Sequence, residues 1–170
     1  MAVYTGENCS LARTLEIIGE RWTLLIVRDA FYGVQRFADF AAHLRIPRAV
    51  LSERLALLVS AGVLAKTPGA GRRELYTLTD KGIGLFPALR ALVAWGDQHY
   101  APDGPRRHFR HADDNGEVDL AGVCQLCGKS LAVRDYLVTT GPGASPADAS
   151  ADAVTRALAT PRRLLEPITP

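Results

Sequence analysis

Residues 46–62 read "IPRAVLSERLALLVSAG", and the two sides of that stretch are unlike. At about 100° per residue, Leu51, Leu55 and Leu58 fall together, while Ala49, Ser52, Glu53 and Ala56 gather opposite them with Arg48 at the margin. A solvated helix carries charged and polar side chains on its outer face. A face this short suits a helix that must come close to something. The major groove of duplex DNA is such a place, since it admits an α-helix whose small residues fit and whose polar residues reach base edges. On that reading Ala49, Ser52 and Ala56 supply the fit. Arg48 and Arg54 reach guanine or phosphate, and Glu53 accepts from cytosine N4 or opposes a wrong register. The competing reading is a surface helix whose alanines reflect helix propensity alone.

The neighbouring elements favour the first reading. Leu11, Leu15 and Ile18 repeat at helical spacing, and after Gly19 a second helix is marked by Trp22, Leu25, Ile26 and Ala30. Phe37, Phe40, Ala41 and Leu44 then form one buried stripe, and Pro47 is expected in the first turn of the next helix. Two short helices joined tightly predict a helix-turn-helix. Beyond Gly62 the period changes to two. "VLAK" (63–66) and "RRELYTL" (72–78) predict a hairpin around "TPGAG" (67–71), a wing on which Arg72 and Arg73 would grip the DNA backbone. "TDKG" (79–82) is expected to open a long helix with a Leu85, Leu89, Leu92 and Trp95 stripe, ending near Tyr100 ahead of Pro102.

At 170 residues and 48% hydrophobic, the chain suits a core domain with an appendage. The net charge of +2 gives little overall steering, so a nucleic-acid footprint must come from clustered basic residues. No apolar run is long enough to span a bilayer, and "MAVYTGENCS" has neither the basic start nor the apolar core of a signal peptide, which predicts a cytoplasmic protein without a membrane partner. No Ser-His-Asp set, phosphate-cradling glycine loop or paired carboxylate motif stands out, so an enzyme is not expected.

Several separated motifs occur here in one order. "CSLARTLEIIGERWTLLIVRDAFYGVQRFADF" (9–40), "VLSERLALLVSAGVL" (50–64), "ELYTLTDKG" (74–82) and a helix ending "AWGDQHY" (94–100) resemble the HxlR family of bacterial winged helix-turn-helix regulators, relatives of the MarR group. The resemblance covers residues 9 to about 100. It rests on the N-terminal Cys, Gly-x-x-Trp-Thr, the Arg-Phe pair before the first helix of the reading unit, and Tyr-x-Leu-Thr-x-x-Gly after the wing. It implies a homodimer on a roughly palindromic operator of double-stranded DNA, controlling a neighbouring gene, often in response to oxidants, electrophiles or small aromatic molecules. It also implies that Cys9 stands where many members carry a sensing thiol. The residues themselves allow that chemistry, since a helix N-terminus and Arg13 would lower a thiol pKa, but Glu7 would raise it and a cysteine also packs well.

Leu11, Leu15, Leu89, Leu92 and Trp95 are the expected dimer interface, because a winged domain of this size would struggle to bury those stripes alone. Trp22 is expected in the core of one chain. Beyond residue 101, "HFRHADDNGEVDLAGVCQLCGKSL" (108–131) holds His108, His111, Cys124 and Cys127 as two close pairs at zinc-ligand spacing, a candidate structural zinc ribbon. The alternatives are solvent-facing histidines and a reduced cysteine pair.

The expected fold is mostly α with a small β wing: a winged helix-turn-helix DNA-binding and dimerisation domain over 1–101, a β-rich His/Cys appendage over 102–140, and a flexible linker and tail over 141–170, in which "DAVTRALATPRRLLEP" (152–167) is open to two readings, a short helix with Leu158, Leu164 and Leu165 docking on the dimer or a loosely held tail. Two other functions compete with DNA binding. A winged helix can serve purely for protein interaction, but then Arg48, Arg54, Arg72 and Arg73 have no purpose. A thiol-disulfide oxidoreductase would use Cys-x-x-Cys, but no strand-to-helix βαβ pattern precedes it.

Overall fold

The computed structural model describes residues 8–69, 73–145 and 150–168. Helix α1 (Ser10–Ile18) ends at Gly19, where a Cβ would stand 2.5 Å from the Leu15 carbonyl oxygen, so the chain can turn at once into α2 (Arg21–Phe31). Helices α3 (Phe37–Leu44) and α4 (Arg48–Ser60) follow as the expected pair. Arg45 adopts a left-handed conformation (φ 50°) between them, and Ile46 drops into the core. Pro47 caps α4 and does not enter its first turn: its ψ of 132° is extended, and Leu51 N–H already donates to its carbonyl. Leu51, Leu55 and Leu58 pack with Ile26, Phe31 and Phe40 in one buried cluster.

Strands β1 (Leu64–Pro68) and β2 (Glu74–Leu78) pair antiparallel as the wing, with Leu64 opposite Leu78. The wing is tied to the helices: Tyr76 N–H donates to Gln35 C=O at 2.8 Å, and Arg36 bridges to Leu75. The "TDKG" stretch does not open the long helix. It forms a separate turn, α5 (Asp80–Ile83), before α6 (Phe86–Tyr100). Pro87, at the start of α6, has no N–H to continue a helix from the preceding turn, so the chain breaks at Gly84 and restarts. Thr79 is the joint of this region. Its hydroxyl accepts from Gly82 N–H and donates to Gly62 C=O at 2.7 Å, while Lys81 donates to Ala61 C=O. Gly82 is needed because a Cβ there would lie 2.2 Å from the Val63 carbonyl oxygen.

The appendage is an antiparallel sheet of β3 (Arg107–His111), β4 (Tyr136–Thr140) and β5 (Arg162–Arg163), in that order. It shares its core with the winged domain. Phe86, at the head of α6, meets Phe31 of α2 at 5.0 Å between ring centroids, Tyr136 of β4 at 4.9 Å and Phe109 of β3 at 6.2 Å. Arg90, one turn on, lies over Phe109 and donates to Val118 C=O.

The segment expected as a linker with a docked or loose tail is packed where it is described. Asp152 caps a short helix, α7 (Ala153–Ala157), accepting from Val154 and Thr155 N–H. Val154, Leu158, Leu164 and Ile168 are buried in the common core. Leu165 N–H donates to Phe31 C=O and Ile168 N–H to Gly33 C=O, so this segment lies along the end of α2. Gly33 (φ +91°) has no space for a side chain, since a Cβ would stand 1.8 Å from Glu166 O. The cause is apolar: Leu158, Leu164 and Ile168 join Phe31 and Val34 in one buried cluster.

Candidate nucleic-acid interface and metal centre

The outer face of α4 is as short as its sequence. Arg48, Ala49, Ser52, Glu53 and Ala56 are exposed, opposite the buried leucines. Arg48 rests over Phe37, its guanidinium 5.1 Å from the ring centroid. Arg54 differs from the expectation. Its side chain is mostly buried, Nε lies buried without a hydrogen-bond partner, and its outer end approaches Glu53 at 3.4 Å. It belongs to the packing of α4 more than to its reading face.

Between α4 and the wing lies a cleft of about 660 Å³, bordered by Arg36, Arg48, Ser52, Lys66, Arg73 and Tyr76. Arg36 pairs with Asp39 at 2.6 Å, and Lys66 with Glu74 at 2.7 Å. Among the described residues, Arg48 and Arg73 have no carboxylate partner, so the unneutralised charge of the cleft sits at its helix and wing sides. Arg72 lies outside the described residues. The sequence reading missed Arg36, Lys66 and Tyr76; alternation along the strands places Lys66 and Tyr76, which are register partners, on one face.

Of the expected interface residues, Leu11 (65% exposed), Leu15 (45%), Leu92 (51%) and Trp95 (55%) stand open on α1 and α6. Leu89 is half-buried against its own chain's core. Among the described residues the ring contacts of Trp95 lie along its own helix, 5.0 Å from His99 and 5.4 Å from Tyr100 between centroids. Trp22 lies against the core of one chain. Cys9 is exposed and occupies the N-cap of α1.

In the appendage the chain gathers His111, Asp114, Cys124 and Cys127, whose donor atoms all lie within 4.8 Å of one another. His108 is not in this group. It sits in β3 three residues before His111, and residues three apart on a strand face opposite ways. Asp114 takes the remaining position, 3.0 Å from His111 Nδ1 and 3.4 Å from Cys124 Sγ. Cys127 Sγ lies 3.5 Å from His111 Nδ1. A tight turn aims the two sulfurs together, with Gly128 N–H donating to Cys124 C=O and Gly128 left-handed at φ +72°. Gly116 supplies the remaining room, since a Cβ there would be 2.6 Å from Cys124 Sγ. Hydrogen bonds from Cys127 and from Gly116 N–H hold the Asp114 carboxyl well below the usual carboxylate range. Burial, the largest single influence, would raise the Cys124 thiol, yet hydrogen bonds from the N–H groups of Cys127 and Leu126 and from the Cys127 and His111 side chains together bring it below its ordinary value. Two sulfurs, an imidazole and a carboxylate are a donor set that fits zinc.

A family model described as an HxlR-like helix-turn-helix matches residues 17–104. The HTH-type transcriptional regulator Rv3095 of Mycobacterium tuberculosis is 41% identical over 140 residues, 81% of this chain and 89% of its own. The HTH-type transcriptional regulator YodB of Bacillus subtilis is 34% identical over 92 residues, covering 51% of this chain and 80% of YodB. Among solved structures, the protein PA1607 superposes with a TM-score of 0.65 at 38% identity, covering 79% of this chain and 96% of its own. The matches to Rv3095 and PA1607 are longer than the winged domain, so they extend into the appendage. Among the described residues no helix is long and apolar enough to cross a membrane.

Proposed function

This chain belongs to the HxlR family of helix-turn-helix transcriptional regulators, and from that premise we propose that it binds double-stranded DNA as a homodimer, reading a palindromic operator with α4 of each protomer. The observation that carries this reading is the slim exposed face of α4 beside a basic cleft: Ala49 and Ala56 let the helix approach, and Arg48, Ser52 and Glu53 face base edges. Arg73, and Arg72 beside it in sequence, contact phosphates from the wing. Pairing proceeds through Leu11, Leu15, Leu92 and Trp95, whose exposure in a single chain leaves an apolar surface to cover. Selection of bound duplexes from a random pool tests DNA reading and dimeric use together. An inverted repeat is the expected outcome; recovery of no preferred duplex would leave the fold to protein interaction alone.

The appendage holds one zinc ion through His111, Asp114, Cys124 and Cys127. When bound, zinc supplies a structural cross-link between the β3 end and the Cys-x-x-Cys turn. Metal analysis of the purified protein alongside thiol titration tests it, with one zinc per chain expected. A metal-free protein that reversibly forms a Cys124–Cys127 disulfide would assign these thiols to redox sensing instead. Cys9, exposed at a helix N-terminus, is a second candidate for oxidant sensing. Alkylation of Cys9 that changes duplex affinity supports that role, and unchanged affinity removes it.

A further inference from the structure

Away from the reading face, a second cleft of about 400 Å³ opens where α2, α6 and the appendage meet. Its charge is unbalanced. Arg28 from α2 and Arg106 and Arg107 from the entry to β3 face it, with Asp97 of α6 as the carboxylate on its lining. Asp29, fully buried, neutralises Arg28 at 2.7 Å and holds His43 Nδ1 at 2.7 Å with its other oxygen, so among the described residues the unpaired charge of the cleft is that of Arg106 and Arg107. Arg107 is half-buried, and among the described residues it has no carboxylate partner. It donates only to uncharged groups, the Leu158 carbonyl and the Thr140 hydroxyl. Burial pushes its guanidinium below the ordinary value, and Arg28 pushes the same way against the pull of Tyr32.

The remaining walls carry an apolar side, Val93, Leu158, Ala144 and Tyr32, whose ring lies under Arg28, and two polar groups, Ser145 and the His43 ring held by Asp29. Gly96 adds a separate observation. It stands inside α6, where glycine weakens a helix, and a Cβ added to it would meet nothing within 4 Å. No close approach explains this glycine; its absent side chain leaves the cleft open.

We infer that this cleft is an effector site for a small carboxylate with a compact apolar body, bound through Arg107 and Arg106 against Val93, Leu158 and Tyr32. A cavity of this size accommodates a single ring or a short branched chain. A carboxylate accepts bidentate hydrogen bonds from a guanidinium, and an apolar body replaces water against the walls. The site depends on the appendage, which supplies Arg106, Arg107 and Leu158. Occupancy would act on α6 through Val93, Gly96 and Asp97, one face of the helix whose neighbouring face carries Leu92 and Trp95. The effect on DNA rests on the regulator reading above; the binding itself does not.

Titration calorimetry on the full-length protein, without DNA and at constant ionic strength, tests the site with cyclohexanecarboxylate as probe and cyclohexylmethanol as its uncharged counterpart. The carboxylate is expected to bind once per chain and the alcohol at least tenfold more weakly. Arg107→Gln should weaken the carboxylate at least tenfold. Gly96→Leu, which fills the cleft while favouring the helix, should abolish binding with the melting temperature maintained or raised. Absence of binding to the unaltered protein, equal binding of the alcohol, or unchanged binding by folded Gly96→Leu would overturn the site. Retention of the ligand-free protein on immobilised random duplex, measured separately, keeps the DNA reading distinguishable. If the protein is retained, the carboxylate should shift its retention and leave that of Gly96→Leu alone; retention unaffected by bound carboxylate would overturn the effector role.

Discussion

Arg48 is biased toward one position before it meets a ligand, because its guanidinium rests over the Phe37 ring, a contact worth about 0.5–1 kcal/mol at an exposed site. A pre-positioned arginine loses little side-chain freedom on binding a base edge. Replacing Arg48 or Ser52 by Ala should therefore cost about 1–3 kcal/mol at the preferred duplex and narrow discrimination between duplexes, as competition binding will measure. Arg54→Ala is expected to do something else. With its Nε buried and its stem packed on α4, the loss should appear in the melting temperature while duplex preference stays. In the appendage, Cys127→Ser should release zinc and loosen the His111–Cys127 region, whereas His108→Ala should leave one zinc per chain. Metal loss in the His108 variant would place the centre differently. The residue scale is also where the sequence was least legible. Spacing marks His108 and His111 as a pair, but only strand alternation reveals that they point apart. Asp114 carries no signal at all until the turn through Gly116 brings it beside Cys124. Arg54 looked like a reader because helical position alone does not report which flank of the leucine stripe is covered.

At the level of elements, the order of helices, wing and long helix was readable because each has its own period, 3.6 or 2, and its own stop signal at Gly19, Gly62 or Pro102. The break between α5 and α6 was not, since the leucine stripe runs across it and only Pro87 and Gly84 mark the restart. Helix α6 then serves two surfaces. Its head carries Phe86 into an aromatic contact with α2, β3 and β4, and Phe86→Ala should lower stability by about 3–5 kcal/mol in denaturant titration. Its far part presents Leu92 and Trp95. Trp95→Glu should yield a folded monomer in sedimentation, because burying a new charge in an apolar interface costs several kcal/mol. A dimer that survives the substitution would move the interface elsewhere. Asp152→Ala removes the cap of α7 and should cost about 0.5–2 kcal/mol, read as earlier thermal unfolding.

For the whole molecule, the weak net charge of +2 leaves duplex affinity to local contacts. Arg73→Ala should weaken all duplexes alike and flatten the slope of log K against log salt by about 0.9 if it holds one phosphate. The composition of residues 141–170 left a docked helix and a loose tail equally open, because small residues and prolines outnumber the few apolar ones, Leu158 and Leu164 among them, that dock. That docking has a consequence for the protein's making. The Gly33 carbonyl receives Ile168 N–H, and Glu166 presses on the Gly33 backbone, so one flank of the second helix waits for residues the ribosome delivers long after it. Until then the apolar cluster that Val154, Leu158, Leu164 and Ile168 complete stays partly open on a nascent chain. A stalled or truncated product that ends before residue 160 would therefore be a substrate for chaperones and proteases, and the cell would discard incomplete copies.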